Sequence, residues 1–168
     1  MEDIQEIESM SATILALGKE YDEIADVFQK SYKSVDVCIS AIFKIKNGDL
    51  EYRFKKLCDE IEEKRQSKPA IMRMFHGTTK TAAKNIAITG FDPAFSTIAA
   101  FGKGTYASPN VHTALGYCKD AHSVGKTSMV FLCKFVLGTF GRPTIGNIID
   151  TNLYDHSGDG RNIYVTPY

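Results

Sequence analysis

The sequence predicts a single α+β domain, because helical and strand patterns follow one another without regular alternation. The chain has 168 residues, and one core is expected at this length, since domains typically run to about 100–200 residues. Its hydrophobic content of 43% and charged content of 24% are ordinary for a globular protein. No apolar run approaches the roughly 20 residues that cross a bilayer, so no membrane partner is expected.

The first part of the chain predicts three helices and one strand. Apolar residues spaced three to four apart favour helices, and a run of β-branched and aromatic residues favours a strand. Gly18 ends the first helix, and Asp49, in the turn Asn47-Gly48-Asp49, can cap the third. The predicted elements are helices over 4–17 and 21–32, a strand over 35–45 and a helix over 50–66.

The second part predicts short strands that alternate with short helices and long loops. A buried strand ends at His76-Gly77-Thr78, and Asp92 to Phe101 form a loop that can cover a groove. A helix beginning at Thr79 or Thr81 runs through Ile88. The remaining elements are strands over 70–75, 105–108, 129–137 and 162–166 and a helix over 111–118.

Composition and motif spacing exclude several classes of function. The formal net charge is zero, so no global field attracts nucleic acid or membranes. The four cysteines include no Cys-x-x-Cys, and the four histidines include no pair at ligand spacing, so neither a disulfide framework nor a metal site is expected. The acidic N-terminal segment is unlike an export signal and predicts an intracellular, cytoplasmic or nuclear, protein.

Two phosphate-binding motifs are incomplete. Gly125-Lys126-Thr127 resembles the end of a P-loop, but position 120, where the earlier glycine is required, is Asp120. Gly102-x-Gly104 lacks the third glycine of a dinucleotide fingerprint, since position 107 is Ala107. Neither a P-loop nor a Rossmann site is predicted.

A two-part motif is more informative. Phe75-His76-Gly77-Thr78 is followed by Gly102-Lys103-Gly104-Thr105-Tyr106 and then by Tyr117. This combination resembles the catalytic domain of the poly(ADP-ribose) polymerase superfamily, the diphtheria-toxin-like ADP-ribosyltransferases. The resemblance implies a split antiparallel sheet with N-terminal helices packed alongside. The resemblance covers all but the start of the chain. We therefore divide the chain into an N-terminal helical extension (1–18) and an ADP-ribosyltransferase catalytic domain (19–168).

The resemblance also implies a site for NAD, which is consumed as a cosubstrate, and no metal. His76 would hydrogen-bond the nicotinamide ribose, as a neutral imidazole can. Gly77 would offer its backbone N–H and C=O to the carboxamide, because a glycine permits close approach. Tyr106 would border the ribose and the nicotinamide, and Tyr117 would stack on the nicotinamide ring. Thr78 completes the residues that we expect at NAD on these two segments.

Three positions depart from the family pattern. Ile163 stands where polymer-forming members carry a glutamate, and an alkyl group cannot offset the positive charge of an oxocarbenium ion. Ala114 stands where a serine usually bonds the carboxamide, and Thr113 could substitute only if the register shifts by one residue. Ala94 stands where an arginine often serves the adenosine side.

These observations predict a monomeric mono-ADP-ribosyltransferase that transfers ADP-ribose to a protein acceptor, the chain itself included, and releases nicotinamide. We name His76, Tyr106 and Ile163 as the catalytic positions. One alternative is a catalytically inactive module that binds NAD or ADP-ribose, which Ala114, Ala94 and Ile163 together favour. Another is a transferase that acts on nucleic-acid ends, against which the neutral charge argues.

Overall fold

A computed structural model describes residues 12–32, 37–96, 100–118, 127–141 and 149–168. In these residues it shows four α-helices and small antiparallel sheets, which confirms the predicted α+β class. The helices are α1 (Lys19–Ser31), α2 (Gly48–Arg65), α3 (Lys80–Thr89) and α4 (Val111–Leu115). The strands are β1 (Ala12–Ile14), β2 (Phe43–Ile45), β3 (Ala70–Thr78), β4 (Thr105–Ala107), β5 (Met129–Leu137), β6 (Ser157–Gly158) and β7 (Tyr164–Thr166).

Local signals place the helix ends close to their predicted positions. The side chain of Asn47, rather than that of Asp49, caps α2 by accepting a hydrogen bond from the N–H of Leu50. Thr79, one of the two expected caps, accepts from the N–H of Ala82 at the start of α3. Each cap satisfies a backbone donor that has no partner within its helix.

The prediction is wrong at the N-terminal sheet. Ala12–Ile14, inside the predicted first helix, is strand β1 and pairs antiparallel with β2. The predicted strand over 35–45 is reduced to Phe43–Ile45, while its positions 35–36 and residues 4–11 of the first helix lie outside the described part. Pairing between segments some 30 residues apart overrides a local helical pattern here, because that pairing satisfies the backbone groups of both segments.

The main sheet is split in two. The longer half pairs β3 with β5, from Ala70 opposite Leu137 to Thr78 opposite Met129. The other half has the strand order β4-β7-β6. Phe75 and Ser108 connect the halves through two backbone hydrogen bonds of 2.7 and 2.9 Å. Beyond this connection β3 and β4 form no further ladder pairs in the described residues.

Hydrophobic side chains cover both faces of the longer half. On one face Phe75 packs with α4 residues Val111 and Leu115, and Phe28 of α1 meets the Phe75 ring edge-on at 6.2 Å. On the other face Met74 and Phe135 pack together. α1 and α4 therefore hold one face of β3, consistent with the expected packing of an N-terminal helix beside the sheet.

A buried carboxylate fixes the segment that leads to β6. Asp155 is 0% exposed, and Arg65 at the end of α2 donates to both of its oxygens, at 2.9 and 3.2 Å. Lys64 lies 2.9 Å from Oδ1, and the backbone N–H of Thr139 donates to Oδ2 at 2.7 Å. Tyr168 donates its hydroxyl to Oδ1 at 3.2 Å. α2 is thereby tied to both ends of the region from 139 to 168.

No helix in the described part of the chain is long and apolar enough to span a membrane.

Candidate active site

The candidate site lies where β3 and β4 separate, next to α4. In an antiparallel ladder, the N–H and C=O of one residue point to one side and those of the next residue to the other. Since Phe75 bonds Ser108 on the β4 side, Gly77 also directs its N–H and C=O toward β4. The end of β3 therefore presents backbone donor and acceptor groups to the opening between the strands.

His76 spans the start of this opening. Its Nδ1 lies 2.6 Å from the backbone carbonyl oxygen of Tyr106. A carbonyl oxygen only accepts, so Nδ1 carries the proton and Nε2 carries the lone pair. Burial lowers the pKa of His76, and the hydrogen bond to Tyr106 offsets part of this effect. The imidazole is therefore neutral at pH 7, with Nε2 as an acceptor.

Two aromatic rings support the imidazole. Phe91, just after α3, meets the His76 ring edge-on with a centroid distance of 4.8 Å. Phe131 of β5 meets Phe91 in the same way at 5.9 Å. The ring of His76 is therefore held by a hydrogen bond at one edge and by apolar contact with Phe91.

Gly77 is required by packing as well as by any ligand. A Cβ at this position would overlap the backbone carbonyl of Ala114, and it would approach the Cys118 Sγ to 3.0 Å. α4 thus lies against the bare backbone of β3.

The same packing bears on Thr113. Ala114 is 2% exposed and Thr113 is half-buried. The α4 atoms nearest to Gly77 are the backbone C and O of Ala114. Successive helix residues are about 100° apart, so the side chains of Thr113 and Ala114 point in different directions from α4.

Tyr106 connects the site to the loop before β4. Its hydroxyl donates to the carbonyl of Gly102 at 2.8 Å and accepts from the N–H of Phe101 at 3.0 Å. Burial raises the pKa of Tyr106, the N–H of Phe101 lowers it, and nearby Tyr117 raises it. Tyr117 is 40% exposed. Part of the Tyr117 side chain is therefore open to solvent.

The residues expected at NAD come from three neighbouring elements of the fold. His76, Gly77 and Thr78 come from β3, Tyr106 from β4, and Tyr117 from the turn after α4. The family model of the Poly(ADP-ribose) polymerase catalytic domain matches residues 18–153, which is more than half of the chain. The chain belongs to this family. A search of curated proteins finds no match.

Membership of the poly(ADP-ribose) polymerase family confirms the resemblance found in the sequence. The family consists of NAD-dependent ADP-ribosyltransferases, so NAD is the substrate class of this fold. In the described residues, no group of three or more His, Cys, Asp or Glu side chains could hold a metal ion.

Ile163 lies beyond the matched range, one residue before β7. The register of β7 on β4 pairs Tyr106 with Val165, which puts Ile163 opposite Ser108. The Asp159 carboxylate accepts hydrogen bonds from the N–H groups of Ile163, at 2.8 Å, and of Arg161, at 2.8 Å.

The Asp159 carboxylate is committed to the turn before β7. Partial burial raises its pKa, but the N–H groups of Ile163, Arg161 and Asn162 lower it more, so its pKa is lowered overall. Its side chain is exposed, and Oδ1 is engaged in holding the turn before β7.

Sequence reasoning missed one residue that contacts His76. Phe91 packs edge-on against the imidazole, but it belongs to none of the motifs. The usable hint was an aromatic residue directly after Gly90, at the end of α3.

A surface cavity elsewhere carries no site. It has a volume of about 500 Å³ and is lined by Val27, Lys30, Ser31, Pro109 and Asn110. Ser31 Oγ is engaged with the carbonyl of Pro109 and the N–H of Val111. Asn110 caps α4 through the N–H of His112. These polar groups serve the packing of α1 on α4.

Proposed function

We propose that this chain is a mono-ADP-ribosyltransferase that transfers a single ADP-ribose unit from NAD to a protein side chain and releases nicotinamide. The observation that carries the proposal is the state of His76. With Nδ1–H bound to the Tyr106 carbonyl, the neutral ring offers Nε2 to a ribose hydroxyl. Gly77 supplies N–H and C=O groups that match a carboxamide, and Tyr117 supplies a ring for the nicotinamide face.

The reaction needs no cofactor beyond NAD. The bond between the ribose C1′ and the nicotinamide nitrogen breaks, and its electron pair leaves with nicotinamide, which becomes neutral. The ribose then carries the positive charge of an oxocarbenium ion until an acceptor oxygen bonds C1′. A carboxylate acceptor brings both the electron pair and a negative charge, so no proton has to leave.

Ile163 supports single-unit transfer. Chain elongation requires a ribose hydroxyl of an attached unit as the acceptor, and a neutral hydroxyl benefits from a carboxylate that orients it. An isoleucine can neither accept a hydrogen bond nor stabilise the cation. An acceptor carboxylate would supply that missing charge once, which favours attachment of one unit.

Incubation with labelled NAD tests the proposal. We expect label on protein, stoichiometric release of nicotinamide and products one unit long. Measurable NAD binding without labelling or nicotinamide release would instead establish the second candidate, an inactive NAD- or ADP-ribose-binding module. Ala114 favours that candidate, since the missing hydroxyl removes a hydrogen bond worth about 1 kcal/mol.

A further inference from the structure

A hydrogen-bonded group behind Tyr106 joins β4, the preceding loop and β6. We call it the loop anchor, and it consists of Phe101, Gly102, Tyr106 and Ser157. The Tyr106 hydroxyl binds the N–H of Phe101 and the carbonyl of Gly102, at 3.0 and 2.8 Å. Ser157 Oγ donates to the carbonyl of Phe101. The N–H of Phe101 is therefore held by a side chain of β4, and its C=O is held by a side chain of β6.

The sheet register explains how the two side chains reach one peptide segment. Val165 of β7 pairs with Tyr106 on one side and with Ser157 on the other. Directly paired residues project from the same face of a sheet. Tyr106, Val165 and Ser157 thus form a row across three strands, and Phe101 bonds both ends of that row. Val165 and Ser157 are 0% and 1% exposed, so the middle of the row and its β6 end are shielded from water.

The turn that the loop anchor holds is tightly constrained. Gly102 has a φ of +96°, a conformation that side chains other than glycine rarely adopt. After Gly102 the chain passes through Lys103 and Gly104 and enters β4 at Thr105. The carbonyl of the next residue, Tyr106, lies in hydrogen-bond contact with His76 Nδ1. A shift of Phe101 would move the Tyr106 hydroxyl and, through the same residue, the partner of His76.

We infer that Ser157 is a positioning residue for NAD, an inference that rests on the proposed function. Ser157 acts through the Phe101 carbonyl and touches none of the reacting atoms. It fixes the loop before β4 so that Tyr106 and His76 are in place before NAD binds. Its loss weakens NAD binding more than it slows the chemical step, because the bound substrate still meets an intact His76.

Ser157→Ala tests this role directly. We expect the KM for NAD in nicotinamide release to rise about fivefold, the equivalent of one hydrogen bond, with kcat changed less than twofold. Tyr106→Phe removes the other half of the loop anchor and should raise the KM similarly. The double variant should show less than the product of the two single effects, because both substitutions release the same peptide segment.

The matched control is Ile61→Val, a deletion of one buried methylene in α2, where Ile61 is 2% exposed. It should destabilise the protein to an extent similar to Ser157→Ala and leave the KM unchanged. Ser157→Cys, in which the thiol is only a weak donor, should raise the KM by less than Ser157→Ala and replaces it if the alanine variant does not fold. A wild-type KM in Ser157→Ala, or in Ser157→Cys where the alanine variant does not fold, would overturn the inference, as would strictly multiplicative effects in the double variant.

Amide hydrogen exchange at Phe101 separates this inference from the proposed function. Ser157→Ala should accelerate that exchange and leave exchange in β3 unchanged. If the wild-type protein neither binds nor cleaves NAD, the proposed function and the role of Ser157 both fall. If the wild type binds NAD and Ser157→Ala binds it equally well, only the role of Ser157 falls.

Discussion

The Nδ1 atom of His76 lies 2.6 Å from the backbone carbonyl oxygen of Tyr106. This contact joins the two halves of the sequence motif, 30 residues apart, at the point where β3 and β4 separate. It fixes the tautomer of the imidazole, because the carbonyl accepts only from a protonated nitrogen. Because this carbonyl belongs to the backbone of Tyr106, substitution of the Tyr106 side chain leaves it in place. The backbone thus determines which nitrogen of His76 carries the proton and which is available to a ligand.

Substitution of His76 by asparagine should separate its two roles. The asparagine amide N–H₂ can take the place of Nδ1–H and keep the bond to Tyr106, but it supplies nothing at the position of Nε2. We expect His76→Asn to fold with a melting temperature near that of the wild type and to lose at least about 100-fold in kcat/KM for NAD. Nicotinamide release and thermal unfolding measure the two quantities.

His76→Ala is the companion variant, and it should lose both activity and some stability. The fold would lose the hydrogen bond to Tyr106 and the edge contact with Phe91. Normal labelling by either variant would show that the site lies elsewhere.

The pH dependence of kcat/KM should report a neutral His76. Burial lowers the pKa of His76 from the usual value of about 6.5. A base with a lowered pKa stays neutral through pH 7, so kcat/KM should be flat from about pH 7 to 8 and fall only at a pH below about 6.5. A profile whose acid limb has its midpoint above 6.5 would contradict the buried, neutral imidazole.

Ile163→Glu should increase nicotinamide release without creating a polymerase. A carboxylate before β7 can stabilise the developing positive charge, for which we expect up to about tenfold in kcat. Products should remain one unit long, because contacts for a polymer acceptor are also required. Radiolabelled NAD and gel analysis measure both effects.

Ile163→Gln is the control for that experiment, since it matches glutamate in shape but carries no charge. An equal gain in both variants would show that polarity, rather than negative charge, produced the effect. Long polymers from Ile163→Glu would show that this residue alone sets product length.

The motif segments were predictable because their signals are local. The apolar run before His76 indicates a buried strand, and the glycines at 102 and 104 mark the turn before Tyr106. β1 was not predictable, because Ala12–Ile14 forms a strand only through its pairing with Phe43–Ile45. A three-residue segment whose partner lies that far along the chain carries no periodicity of its own.

Supporting contacts within the site were unpredictable for a related reason. Ser157 reaches Phe101, 56 residues earlier, only because both β4 and β6 pair with β7. Such a contact depends on sheet order, which hydrophobic periodicity does not specify. By contrast, the sequence predicted that position 77 needs a glycine so that a ligand can approach the backbone. The structure adds a second reason, because a Cβ at this position would overlap the carbonyl of Ala114.

Gly77→Ala should destabilise the protein even without NAD. The added Cβ would overlap the Ala114 carbonyl, and backbone of β3 and α4 would have to move apart. We expect a loss of about 2 kcal/mol in the free energy of unfolding, as for other overpacked interiors. Urea denaturation followed by circular dichroism measures it.

Gly48→Ala is the matched control, because a Cβ at Gly48, the first residue of α2, has no atom within 4 Å. It should change stability by less than about 0.5 kcal/mol or stabilise slightly. If Gly77→Ala proved as mild as Gly48→Ala, the close approach of α4 to β3 would be incorrect.

Asp155→Asn should be among the most destabilising conservative changes in the chain. Burial raises the pKa of Asp155, but Arg65, the N–H of Thr139 and Lys64 lower it more, so its pKa is lowered overall. Removing the charge leaves the partly exposed cations Lys64 and Arg65 without their anion and the buried acceptor less well satisfied, which should cost about 1–3 kcal/mol at pH 7. Asp150→Asn, at an exposed carboxylate that caps the N–H of Asn152, should cost less than about 0.5 kcal/mol.

The stabilising effect of Asp155 should also depend on pH in a defined direction. Because its folded pKa is lowered, the carboxylate stabilises the protein fully above its unfolded pKa of about 3.9 and loses this effect as the pH falls toward the folded pKa. The stability difference between the wild type and Asp155→Asn should therefore be constant from about pH 5 to 8 and shrink below about pH 4. A difference that persists undiminished at pH 3 would mean that shape, and not the charge shared with Arg65 and Lys64, makes Asp155 important.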